Sequence, residues 1–355
     1  MAYIVIVIVI YVICCFFALF EERIKQYRTV IYISLGFLLV LVAGLRPVGI
    51  DADSLNYENT FLNYTSPNAS DNVEYSYILF SQIINFFTND VHVLFLFYAL
   101  LGVGIKIYAF RKYSSTWFLF LALYISDYYI MHECMQIRTG VLSGLLLVAL
   151  TKIGEGNRKA AAIILLVGLF FHYSALILLP ILFLSNREMN KKQRTKWLAV
   201  VFASYLLFII GQSFLVNFGT DLPYIGNKLA LYQKGTETGK ISASINPLGP
   251  IYLFGLFLYL YILYFYDTIS KHNKYLPLLV KVFSLGFFFF AAFSFLPVFG
   301  QRVSMLYKTV SIILFANIYY TIRPKWVAVS ITALIGLLYL NYSLPEIGLT
   351  LFWKV

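Results

Sequence analysis

Long apolar runs recur along the chain with short polar breaks between them, and their lengths set the first expectation. A helix needs about 20 apolar residues to cross a bilayer. Runs of that order fall at 2–20, 28–45, 91–110, 116–132, 137–153, 197–216, 248–266, 275–296, 303–322 and 326–344. They predict an all-α polytopic membrane protein, one integral membrane domain over 1–355, with about 10–12 transmembrane helices. The first run lacks a basic leader and a small-residue cleavage motif, which predicts a retained span rather than a signal peptide.

Composition agrees. Of 355 residues, 61% are hydrophobic and 12% charged, with a mean hydropathy of +0.79, against roughly 25% charged in a soluble domain. That excludes a soluble enzyme, a disordered chain and a nucleic-acid binder. The net charge of +11 is explained by topology, because short cytoplasmic loops of membrane proteins collect Lys and Arg. Arg23, Lys25 and Arg28, then Lys106, Arg111 and Lys112, then Lys152, Arg158 and Lys159 all fall on one side if each run crosses once. Arg187, Lys191, Lys192, Arg194 and Lys196 join them only if 159–184 passes an even number of times. The run therefore predicts a bent helical hairpin, with halves at 159–171 and 174–184 and a tip at Phe171-His172-Tyr173-Ser174. Two extracytoplasmic segments are longer than connectors need: 46–90, acidic and ending in an interfacial helix, and 217–247, rich in Gly, Thr, Ser and Asn. Cys14, Cys15 and Cys134 suggest neither a disulfide framework nor a zinc site.

With this orientation Arg46, Arg138 and Arg302 all emerge at the outer mouth, where few cations are expected. Planar guanidiniums take phosphate oxygens in pairs, so three converging there suit an anion such as a lipid pyrophosphate; snorkelling or local ion pairing is the plainer alternative for each. His172, set in an apolar run, is either a structural histidine or, with Ser174 capping the second half-helix, a neighbour of that anion. Asp51-Ala-Asp53 has the spacing of a metal-holding acid pair, but pairing with Arg46 or general-base work suits an outside loop better, and Glu74 is a second candidate base. No metal and no cofactor is called for.

Arg46-Pro-Val-Gly49, Asp53-x-x-x-Tyr57, Glu74 with Tyr75 and Tyr77, Gln136-Ile-Arg138, Phe171-His172-x-Ser174 and Arg302 with Tyr307 follow one another in an order that resembles the EpsG-type, Wzy-like polysaccharide polymerases. The short Gly-x-Asp step of that pattern is lengthened here to Gly49-Ile-Asp51-Ala-Asp53, so either Asp51 or Asp53 matches it. The resemblance implies a fold like the multi-span GT-C class and an extracytoplasmic glycosyltransferase of the bacterial inner membrane. Its donor and acceptor would be undecaprenyl-pyrophosphate-linked oligosaccharides, with a chain-length regulator as a possible protein partner. In that scheme Arg138 and Arg302, with the amides at Ser174, take the pyrophosphate; Arg46 holds a second pyrophosphate or the acidic loop. His172, Asp53 or Glu74 acts as base, and Gln136, Tyr57 and Asp51 line the substrate site. An O-antigen ligase uses the same donor, a lipid-linked-oligosaccharide flippase would line a path through the membrane with cations, and an O-acyltransferase would need a cytoplasmic site.

Overall fold

A computed structural model of the chain describes residues 2–51, 53–65, 73–220, 246–294 and 296–344. Most of the predicted 217–247 loop, with Lys228, Lys234 and Lys240, lies outside the described residues, as do Asp71 and Lys354. Among the described residues every regular element is helical. The helices are α1 (Ala2–Leu19), α2 (Arg28–Gly44), α3 (Ser54–Leu62), α4 (Tyr75–Asn85), α5 (Val91–Tyr113), α6 (Trp117–Asp127), α7 (Ile137–Gly154), α8 (Arg158–Phe171), α9 (Lys191–Thr220), α10 (Pro250–Tyr264), α11 (Leu276–Ala292), α12 (Pro297–Lys308), α13 (Ser311–Ala316) and α14 (Lys325–Ser343). A π-helical turn, Ile130–Met135, stands between α6 and α7.

Among the described residues, α5, α7 and α14 are long and apolar enough to cross a membrane, and α12 with Ser311–Tyr320 adds a fourth span if their 44° bend lies within one crossing. Five more apolar runs fold as helices of 10–17 described residues, Tyr3–Leu19, Arg28–Gly44, Trp117–Asp127, Pro250–Tyr264 and Leu276–Ala292, and the run 197–216 lies within the 30-residue α9. Two of the runs end in backbone other than α-helix. The run 116–132 leaves the α conformation after Asp127 and enters the π-turn. The run 159–184 breaks at His172, whose φ of −156° and ψ of 130° are extended. It continues as the single turn Ala175–Leu178 and a 3-10 segment, Leu179–Phe183. Arg158 donates to the Leu184 carbonyl at 3.4 Å, so the two ends of this stretch meet.

The chain divides into two compact units: residues 1–185 with 265–276 and 312–355, and residues 186–264 with 277–311. In the first, α2 packs on α5, α5 on α7, α7 on α8, and α1 and α14 on α6. One end of this unit gathers cations. There Arg28 lies 3.8 Å from the Trp117 ring, Lys152 pairs with Glu155 at 2.8 Å, and Glu21 accepts the Trp117 amide at 2.8 Å. The C-termini of α2 and α8 and the N-termini of α5 and α7 form the other end. In the second unit Tyr259 on α10 bonds Ser284 on α11 at 2.7 Å. Lys308 at the end of α12 sits 4.2 Å and 4.6 Å from the rings of Phe290 and Phe287.

Candidate active site

A cluster of Phe61, Tyr77, Phe95, Tyr98, Ile137 and Phe171 joins α3, α4, α5, α7 and α8 at the second end of the first unit. Burying these rings brings three polar residues from distant parts of the sequence together. Glu74 precedes α4, Arg138 is the second residue of α7 and His172 terminates α8. Arg138 Nη1 bonds Glu74 Oε2, and His172 Nε2 lies 3.4 Å from Glu74 Oε1. The Arg138 guanidinium also lies 5.7 Å from the Tyr77 ring and 5.9 Å from the Tyr57 ring. Side-chain exposure is 8% for Glu74 against 19% for Arg138 and 18% for His172, so the carboxylate is recessed while both of its partners reach solvent.

The imidazole tautomer follows from its neighbours. The Ser174 amide donates to His172 Nδ1 at 3.1 Å, which makes Nδ1 the acceptor and leaves the hydrogen of the neutral ring on Nε2, facing Glu74. A neutral His172 in this position donates; it has no free lone pair to take a proton. Of the candidate bases, Glu74 is the one that lies between a guanidinium and an imidazole N–H.

The remaining candidates are placed differently from expectation. Arg46 is fully buried and bonds Asp51 Oδ2 at 3.0 Å, the Ala43 carbonyl at 2.7 Å and the Cys134 carbonyl at 2.7 Å, with Phe95 at 3.9 Å beneath it. Of its two expected roles, holding the acidic loop is the one the geometry realises. Asp51 Oδ1 accepts the amides of Asp53 and Ser54 at 3.0 and 2.8 Å, starting α3. Asp51 and Asp53 are therefore not two open carboxylates side by side. The turn into α3 needs Gly49, whose φ of +86° suits a residue without a side chain. Tyr57 donates its hydroxyl to the Met135 carbonyl at 2.8 Å, and burial raises its phenol above the usual range despite the pull of Arg138. Gln136 donates to Met131 Sδ at 3.3 Å.

The amides expected to be free at Ser174 are in use: Ser174 N–H goes to His172 Nδ1, and those of Ala175, Leu176 and Ile177 to the carbonyls of His172, Tyr173 and Ser174 at 3.1 Å each. The second half-helix dwindles to one α-turn because Pro180 follows, and its dipole contributes no anion site. Arg302 belongs to the second unit, exposed on α12. In the first unit the expected set of open guanidiniums reduces to Arg138.

The EpsG family model matches residues 29–348. The chain belongs to the EpsG family. It is 26% identical over 334 residues to the amylovoran biosynthesis protein AmsC of Erwinia amylovora, a match covering 87% of this chain and 85% of that protein. No solved structure matches at a significant level.

Two charges that spacing did not single out lie deeper in this EpsG-family chain. Lys106, expected among the cytoplasmic cations, is fully buried on α5 and bonds Glu133 of the π-turn at 2.6 Å. Tyr124 donates to the same carboxylate oxygen at 2.7 Å. The signal was available: Lys106 inside one apolar run and Glu133 at the edge of another are expensive in a membrane unless they meet.

Proposed function

We propose that this chain is an extracytoplasmic glycosyltransferase that polymerises undecaprenyl-pyrophosphate-linked oligosaccharide repeat units into exopolysaccharide, O-antigen or capsule, at the outer face of the bacterial inner membrane. Membership of the EpsG family and similarity to an amylovoran biosynthesis protein support polysaccharide assembly in general. The observation that carries the mechanism is Glu74 held between Arg138 and the Nε2 edge of His172.

Glu74 is the counter-ion of Arg138. A pyrophosphate entering the site competes for the guanidinium, whose planar fork suits phosphate oxygens. As Arg138 turns to the phosphate, Glu74 loses its strongest opposite charge and becomes more basic when the acceptor hydroxyl arrives. The anomeric carbon–oxygen bond to the donor pyrophosphate breaks and a new bond forms to the acceptor hydroxyl oxygen. The hydroxyl proton passes to Glu74, and undecaprenyl pyrophosphate leaves with its charge balanced by Arg138. His172 donates to Glu74 throughout and fixes its direction. Asp53 at the start of α3 is the alternative base. Charge on the leaving group is met by guanidinium, so this scheme uses no metal.

The test is a gel of surface and lipid-linked glycans from a deletion strain complemented with wild type and with Arg138→Ala. A ladder restored by wild type alone supports the polymerase. Long polymer retained on the carrier in the deletion strain identifies a ligase, and single units trapped facing the cytoplasm identify a flippase; either result overturns the proposal.

A further inference from the structure

Two acceptors of the Lys106 ammonium, Glu133 and Gly140, flank Arg138 along the chain. The Lys106 ammonium bonds Glu133 Oε1 at 2.6 Å and the Gly140 carbonyl at 2.6 Å, one partner five residues before Arg138 and the other two residues after it. The Gln136 amide closes the π-turn on the Met131 carbonyl at 2.7 Å, and the Gly140 amide bonds the Gln136 carbonyl at 2.8 Å. Ser143 donates to the same Gly140 carbonyl at 2.8 Å. Turn carbonyls also hold the site's surroundings, Cys134 taking Arg46 and Met135 taking Tyr57. The carboxylate has little room. A Cβ at Gly102 would lie 2.1 Å from Glu133 Oε2, so the absence of a side chain there lets Glu133 reach Lys106, and one at Gly140 would meet the His132 carbonyl at 2.3 Å. The second oxygen, Oε2, is buried without a hydrogen-bond partner.

We propose that Lys106 and Glu133 are positioning residues for Arg138. One ammonium ties the π-turn to the first turn of α7, which carries Arg138, and so fixes where its guanidinium stands relative to Glu74 and the lipid-linked substrate. This rests on the polymerase reading above. Neither residue touches substrate, and each acts through α7.

The test uses the full-length protein in proteoliposomes with purified lipid-linked repeat unit, reading kcat and KM for glycan extension. Replacing the pair by apolar residues, Lys106→Met with Glu133→Leu, removes both charges together, which a folded core tolerates. The double variant is expected to lower kcat by about tenfold, with KM within about twofold, because sub-ångström misplacement of a transition-state contact is felt in the chemical step. In an Arg138→Lys background, where the guanidinium is already gone, the same pair of changes is expected to lower kcat by less than about twofold, since residues acting through one group are not additive. Gly102→Ala, which pushes the Glu133 carboxylate aside without altering any charge, should repeat this pattern and serves if the double variant does not accumulate. Wild-type kcat in the folded variants, or the same fall in both backgrounds, overturns the positioning role. A wild-type protein that extends no lipid-linked glycan overturns the polymerase reading, and the positioning role falls with it.

Discussion

Arg46 is the residue for which the structure most changes the prediction. An arginine that grips a substrate pyrophosphate can be replaced by alanine with loss of activity and little loss of stability. An arginine with no exposed surface, bonded to Asp51 and to two carbonyls, cannot. Arg46→Ala strands the buried Asp51 carboxylate, and breaking a buried ion pair in this way costs about 3–5 kcal/mol. It also leaves the Ala43 and Cys134 carbonyls without their donor, at about 1–3 kcal/mol for each that water does not reach. Against a total stability of roughly 5–15 kcal/mol, the variant is expected to accumulate poorly and to melt well below wild type. Arg46→Lys keeps the charge but cannot reach three acceptors from one ammonium, and is expected to lose about 1–3 kcal/mol. Adding Asp51→Asn to Arg46→Ala removes the stranded charge and should recover part of the loss, a coupling of about 1–3 kcal/mol. Thermal unfolding in detergent, membrane abundance and glycan extension per folded molecule measure these effects. If Arg46→Ala reaches wild-type abundance and melting temperature while extension is abolished, the guanidinium acts on substrate and the framework role is wrong.

Glu74→Gln preserves shape and removes both the base and the counter-ion of Arg138; extension is expected to fall by about 10²–10⁴-fold at wild-type abundance, and retention of half the activity would remove Glu74 from the mechanism. His172→Gln places a donor near the Nε2 position and His172→Asn does not, so Gln should retain about tenfold more extension activity, in line with one hydrogen bond to a charged group; equal activities would show that the bond to Glu74 is idle. At the other end of the first unit, burial pushes the Glu21 carboxyl up to about 8 against the pull of the Trp117 amide and Arg28. The folded state therefore holds a proton that the unfolded state releases near pH 4.5, and stability should fall as pH rises from about 4.5 to about 8, then level off. Glu21→Gln should flatten that slope in melting curves taken between pH 5 and 8, and an unchanged slope would assign it to another group.

Apolar run length located most helices because a lipid-facing segment must satisfy its backbone internally, and only a helix does so. It failed where neighbouring elements set the backbone. Residues 130–135 continue directly from an apolar run, yet they form the π-turn in which Arg46 and Tyr57 take the Cys134 and Met135 carbonyls; nothing local in the sequence announces bonds to residues 78 and 88 positions earlier. Lys106 was misplaced for a related reason. Counting cations by side uses sequence position alone, and Lys106 lies seven residues before the end of α5, about 10 Å inside it at 1.5 Å per residue. Its partner Glu133 is 27 positions away, and the two meet only because α5 packs on α7 with glycines at the crossing.

Glu74, Arg138 and His172 were each legible as unusual polar residues, but which of them faced which was not. That depended on the aromatic cluster that draws α4, α5, α7 and α8 together. The His172 role then turned on a single amide: once Ser174 N–H is committed to Nδ1, the ring becomes a donor toward Glu74, and the base becomes the carboxylate. Residue types and spacing proposed the participants, and the backbone hydrogen bonds of the broken helix distributed the roles among them.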